Sequence, residues 1–186
     1  TNLSKDYVRL PVSVMPAYSC KLQQATLQNP AATLEPGNSG VIPMTLKNTG
    51  NQVATWNFGA TFPNIDWVDN AEIKWMFNGS EVSNLELALT DDINIDAIIT
   101  VPPQVSPGTY PVILLASGMS PAQYLAEWQV NIVVPIYSDL IIEPEVTNLL
   151  APADDSLRLI EIRLINDGNS PESFDLTIQA DWKLGI

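Results

Sequence analysis

A chain of 186 residues that is 46% hydrophobic carries enough apolar surface for one or two packed domains, which excludes a disordered polymer. Eight Lys and Arg against 21 Asp and Glu give a formal net charge of -13, which opposes phosphate backbones and anionic lipid and sets nucleic acid aside as a partner. Histidine is absent, so the commonest general base and the commonest transition-metal ligand are both missing, and the chain reads as no enzyme.

No apolar run reaches the length needed to span a bilayer, and the N-terminal residues lack the basic and apolar segments of a signal peptide. A start at Thr1 instead of Met suggests a mature or excised segment. The single cysteine, Cys20, has no internal partner, which leaves an inert thiol in a strand or a bond to another chain.

In chain order, "YVRLPVSVMP" (Tyr7 to Pro16) alternates Val8, Leu10, Val12 and Val14 and reads as the last strand of a preceding domain. Pro16-Ala17-Tyr18-Ser19 follows as a glycine-free linker, with a buried tyrosine expected to pin the seam. Between Gly40 and Asn48, Ile42, Met44 and Leu46 share one face, while Pro43 suits an edge or an outward gap in the ladder. Asn48-Thr49-Gly50-Asn51 then turns the chain into a strand whose inward face is Ala54, Trp56, Phe58 and Ala60.

Trp67 follows a loop, and "KWMFNGSEV" (Lys74 to Val82) places Asn78-Gly79 between two strand-like runs, a strong hairpin signal. Ile93, Ile95, Ala97, Ile99 and Val101 make the next inward face, followed after Pro107-Gly108 by Tyr110, Val112, Leu114 and Ala116. The last strand of the unit groups Tyr124, Ala126, Trp128, Val130, Ile132 and Val134. Helical periodicity is scarce, so the fold class is all-β, with tandem immunoglobulin-like β-sandwich domains.

The tandem reading comes from an internal repeat. Asn48 recurs as Asn166, 118 positions later, and the same offset carries Ile42, Met44 and Leu46 onto Ile160, Ile162 and Leu164, and Trp56 and Phe58 onto Phe174 and Leu176. Trp67 matches Trp182 across a loop three residues shorter. "PAYS" at Pro16 matches "PIYS" at Pro135 with an offset of 119, though the alternation before the proline then slips by one residue. The expected organisation is residues 1–17 as a last strand, 18–136 as a complete sandwich, and 137–186 as the first half of another.

The order apolar strand, Asn-x-Gly-Asn, aromatic strand, later Trp, and Pro-Gly-Thr-Tyr strand resembles immunoglobulin-like modules of the CARDB type (cell adhesion related domain found in bacteria). It is equally similar to the related module first described beside bacterial alpha-galactosidases. The matching residues are "PGNSGVIPMTLKNTGN" (Pro36 to Asn51), Trp67 and "VPPQVSPGTYPVILLAS" (Val101 to Ser117). Two departures are the elaborate hairpin from Lys74 to Leu87, and Thr90-Asp91-Asp92 in place of a Pro-Gly-Glu turn. The resemblance implies a non-catalytic structural or adhesive segment of a large extracellular or cell-surface protein of bacteria or archaea, such as a filament or surface layer. Its partners would be neighbouring copies or other surface proteins. The alternative it implies is a glycan- or protein-binding accessory of a secreted enzyme.

Five features are candidate sites. Asn2-Leu3-Ser4 and Asn78-Gly79-Ser80 are N-glycosylation sequons at Asn2 and Asn78, the latter doubling as a left-handed turn residue. Acidic groups at Asp66, Asp69 and Glu72, at Asp91, Asp92 and Asp96, and at Asp154 and Asp155 are weak calcium candidates, since no established calcium-loop spacing is present; solvated turns explain them more simply. No other cofactor is indicated. Trp75 is the expected exposed ring for glycan contact, the other tryptophans being assigned to the core. Asp66 and Asp92 form no recognisable carboxylate pair for glycoside hydrolysis. Finally, the orphan strand at Tyr7 to Met15 and the open half-domain after Ser138 offer edges for strand exchange between subunits.

Overall fold

Period-two alternation can bury one face of each strand only if a second sheet covers it, and two packed sheets follow. The computed structural model describes residues 12–25, 31–63, 72–118, 124–144 and 161–177. Along these run β1 (Cys20–Gln24), β2 (Ala31–Thr33), β3 (Ser39–Asn48), β4 (Ala54–Thr61), β5 (Glu72–Phe77), β6 (Ser80–Glu81), β7 (Asn84–Leu87), β8 (Asp92–Thr100), β9 (Gly108–Gly118), β10 (Leu125–Val134), β11 (Leu140–Pro144) and β12 (Ile162–Asn166). No helix occurs among the described residues.

One sheet has the order β1-β3-β8-β5-β6 and the other β2-β10-β9-β4-β7. With β1, β3, β8 and β5 in one layer and β10, β9 and β4 in the other, this is the immunoglobulin arrangement. The short β2 pairs parallel to β10, which no alternation in the sequence announces. Between β4 and β8 the chain crosses to the first sheet for β5 and β6, then returns to the second for β7. That excursion accounts for the elaborate segment from Lys74 to Leu87.

The inward faces are those the alternation specifies. Ile42, Met44 and Leu46 of β3 and Ile95, Ala97 and Ile99 of β8 meet Trp56 of β4, Val112, Leu114 and Ala116 of β9 and Val130 and Ile132 of β10 in one core. Each large aliphatic side chain so buried contributes about 1.5–3 kcal/mol of transfer free energy. Every fully buried core residue lies between Leu22 and Val134, so this unit holds its own core among the described residues. Pro43 sits outward where the β1 ladder ends: Ala25 N–H donates to the Pro43 carbonyl at 2.9 Å, and proline has no N–H to return.

Three expectations change. Tyr124 stands outside the core, 42% exposed, because β10 begins only at Leu125 and its inward series starts at Ala126. Trp128 is half-buried and packs against the core's edge. The linker tyrosines pin nothing by burial, since Tyr18 is half-buried and Tyr137 is exposed.

The pair β11 and β12 repeats β1 and β3 in register. Leu22 pairs with Leu46 and Cys20 with Asn48 in the first copy; Ile142 pairs with Leu164 and Leu140 with Asn166 in the second. Leu22 and Leu46 are 3% and 0% exposed, against 54% and 43% for Ile142 and Leu164. Phe174 and Leu176, equivalent to core Trp56 and half-buried Phe58, are also exposed. The second copy therefore shows the same inward face with no second sheet over it among the described residues.

Candidate functional site

The repeated Asn-x-Gly-Asn segment turns out to do more than connect two strands. Its first asparagine shapes the turn. Asn48 Oδ1 accepts the Gly50 N–H at 3.0 Å and its Nδ2 donates to the Gln52 carbonyl at 2.9 Å; Asn166 repeats both bonds with Gly168 and Ser170, at 3.0 and 2.8 Å. In the complete unit Asn48 is also buried, and its Nδ2 lies 3.2 Å and 3.0 Å from the Leu87 and Ala88 carbonyls.

The second asparagine holds the incoming linker. Asn51 N–H donates to the Ala17 carbonyl at 2.9 Å, Ala17 N–H donates to Asn51 Oδ1 at 2.7 Å, and Asn51 Nδ2 donates to the Met15 carbonyl at 2.9 Å. At the next linker Asn169 makes the same three bonds, to the Tyr137 carbonyl (3.0 Å), from Tyr137 N–H (2.7 Å) and to the Pro135 carbonyl (2.9 Å). All six go to or from main-chain atoms, so the clamp reads an extended backbone and not its side chains.

The glycine between the asparagines lets the linker come this close. A Cβ on Gly50 would overlap the Ala17 carbonyl oxygen, and one on Gly168 would lie 2.6 Å from the Tyr137 carbonyl oxygen. The Thr49 and Asp167 amides extend the contact, each donating at 3.0 Å to the Ser19 and Asp139 carbonyls.

These bonds correct the alignment of the linkers. Met15 occupies the place of Pro135 and Ala17 that of Tyr137, an offset of 120, so the shared letters of "PAYS" and "PIYS" are one residue out of structural register. With that offset Val12 and Val14 correspond to buried Ile132 and Val134, and the slip in alternation disappears. Val12 and Val14 themselves are 85% and 75% exposed.

At the second linker, Tyr137 hydroxyl donates to Asp139 at 3.3 Å, and the charge of Asp139, then that bond, raises the Tyr137 pKa; Asp167 and Glu35 add to it. Tyr137, Asp167 and Asn169 share a cleft of about 160 Å³ with Pro36, Pro103 and Gln104 of the complete unit. A wider one of about 530 Å³ runs from Gln104 along Asn166 to Pro171.

The candidates named from the sequence lie elsewhere. Trp75 is 4% exposed and stacks on Phe58 with centroids 5.0 Å apart, so it offers no glycan platform; β5 is an inner strand beside β8, and Trp75 falls on its inward side. Asn78 is exposed at the hairpin tip with φ 50, and Gly79 with φ 79, the left-handed pair a two-residue turn requires. Asp91 Oδ2 accepts the Ala88 N–H at 2.8 Å, and Asp92 faces Lys47 at 3.6 Å in an exposed pair. Among the described residues no three acidic, histidine or cysteine side chains converge on a cation position. Asn2, Asp66, Asp69, Asp154, Asp155, Trp67 and Trp182 lie outside the described residues. Cys20 is half-buried, and burial pushes its thiol up to about 12.

No protein-family model matches the chain, and no curated protein matches it in sequence. Among solved structures, a FixG-related protein from Vibrio parahaemolyticus is similar over 62% of this chain and 95% of its own, with 8% identity and a TM-score of 0.46. PapD-like domain 7 of human CEP192 is similar over 72% and 97%, with 14% identity and a TM-score of 0.40. Domains 4 and 5 of the S-layer protein SbsC are similar over 70% and 59%, with 14% identity and a TM-score of 0.36. At such identities and scores, none of these carries a function or a family over to the chain.

Proposed function

We propose that this chain is a segment of a non-catalytic array of immunoglobulin-like units, outside the cell or at its surface, whose task is to hold a fixed spacing and angle between neighbours. The observation that carries the reading is the clamp made twice, with the same three bonds at the same positions, on linkers whose side chains differ. A tether meant to flex would have no use for a glycine cleared for backbone contact and an asparagine spent on main-chain bonds. The absence of histidine and the charge of -13 agree with a solvent-facing scaffold whose neighbours are further units or other surface proteins. The motif order that resembles CARDB-type modules points the same way, and the exposed inward face of Ile142 and Leu164 fits the first strands of a second sandwich.

Small-angle X-ray scattering on the 186-residue chain tests this. A single fixed arrangement of the two units reproduces the profile under the reading given; a profile that requires an ensemble of widely differing arrangements refutes it.

A further inference from the structure

After β8 the chain rounds a corner at Pro102, Pro103 and Gln104, held tightly on both sides. Val101 and Val105 are buried, Gly37 N–H donates to the Val101 carbonyl at 3.0 Å, and Val101 N–H donates to the Asn38 carbonyl at 3.0 Å. At the apex Gln104 has φ 69. Left-handed backbone after a proline is a place for glycine or asparagine, because a Cβ is disfavoured there. The same corner uses glycine for this purpose at Gly37, with φ 79.

A glutamine kept in a glycine's conformation suggests a task for its side chain. That side chain is exposed and makes no direct hydrogen bond to the described residues of either unit. Among the described residues Gln104 is the one residue of the complete unit that lines both clefts at the seam, with Tyr137, Asp167 and Asn169 in one and the turn from Asn166 to Pro171 in the other. An amide with two donors and an acceptor suits a turn that offers a carboxylate, an amide and main-chain groups, directly or through ordered water.

We propose that Gln104 is the contact by which a complete unit orients the unit that follows, its partner being the polar Asn-x-Gly-Asn turn of that next unit. The proposal rests on the fixed-spacing reading and adds a second point to the linker clamp: the clamp fixes where the next unit begins, and Gln104 fixes how it is rotated.

The test places spin labels at Ser80→Cys and Arg163→Cys in a Cys20→Ala background, one on each unit, and reads the dipolar distance distribution. The parent gives one narrow peak. Gln104→Gly loses that peak while thermal unfolding of the complete unit stays where it was or rises, since the strain is relieved; Gln104→Asn, which tolerates the backbone but falls short, lies between. A narrow peak retained in Gln104→Gly overturns the proposal, as does a fall in the unfolding temperature that would mark the residue as merely structural. If Asn169→Ala broadens the peak and Gln104→Gly does not, only this inference fails. A parent distribution that is already broad overturns it together with the reading beneath it.

Discussion

Asn51 brackets Ala17: its amide N–H donates to the Ala17 carbonyl while its side-chain oxygen accepts the Ala17 N–H, at 2.9 and 2.7 Å. An asparagine so placed adds one more bridge to a linker that lies outside every strand. The first consequence concerns its removal. Asn51→Ala leaves the core untouched and loses two exposed side-chain bonds, so unfolding free energy of the complete unit falls by about 1 kcal/mol or less. Asn51→Asp keeps the acceptor for Ala17 and loses the donor to Met15, and lies between. Denaturant unfolding monitored by tryptophan fluorescence reads both.

Asn48 and Asn166 occupy the same place in the repeat but carry different costs. Asn48→Ala strips a buried donor from the Gln52, Leu87 and Ala88 carbonyls and destabilises the complete unit by about 3 kcal/mol. Asn166→Ala acts on an exposed turn and leaves that transition within about 0.5 kcal/mol of the parent. Equal effects of the two substitutions on the complete unit's unfolding would contradict the burial argument.

The sequence carried much of this, for definite reasons. Ile42, Met44, Leu46, Ile95, Ala97 and Ile99 alternate without interruption, and a two-sheet core is the way to bury such faces. Asn78-Gly79 specifies its hairpin by conformational preference alone. Trp75 reads as exposed from the sequence because its strand is short and its inward side is set by β8, a neighbour remote in sequence. The clamp leaves a partial trace: an Asx turn needs only its first asparagine and the glycine, so recurrence of the second at Asn169 is a signal without a local explanation. Gln104 leaves no trace in residue type, since nothing in "VPPQV" announces a left-handed glutamine.

Trp75 makes a separate prediction. Its indole N–H is buried without an acceptor among the described residues, as are those of Trp56 and Trp128. Trp75→Ala opens a cavity against Phe58 and costs about 3–5 kcal/mol. Trp75→Phe keeps the stack and removes the orphan donor, and costs well under half as much in the same thermal or denaturant titration.

The thiol of Cys20 gives a pH dependence with a definite sign. Burial raises its pKa from 9.0 to about 12, so between those values the unfolded chain has lost the proton that the folded chain keeps. Stability from this group is therefore complete below pH 9 and declines as pH climbs toward 12. Cys20→Ala removes that component from the alkaline limb, and at pH 8 the native thiol reacts with iodoacetamide more slowly than the unfolded one.

Hydrogen exchange at the Tyr137 amide tests the linker clamp most directly. Tyr137 is exposed and lies outside every strand, so nothing but its bond to Asn169 would slow exchange there, while Ile136, one residue earlier, is not held by the clamp. The account predicts slow exchange at Tyr137 beside fast exchange at Ile136, with the difference abolished by Asn169→Ala. Equally fast exchange at both amides in the parent protein would contradict it.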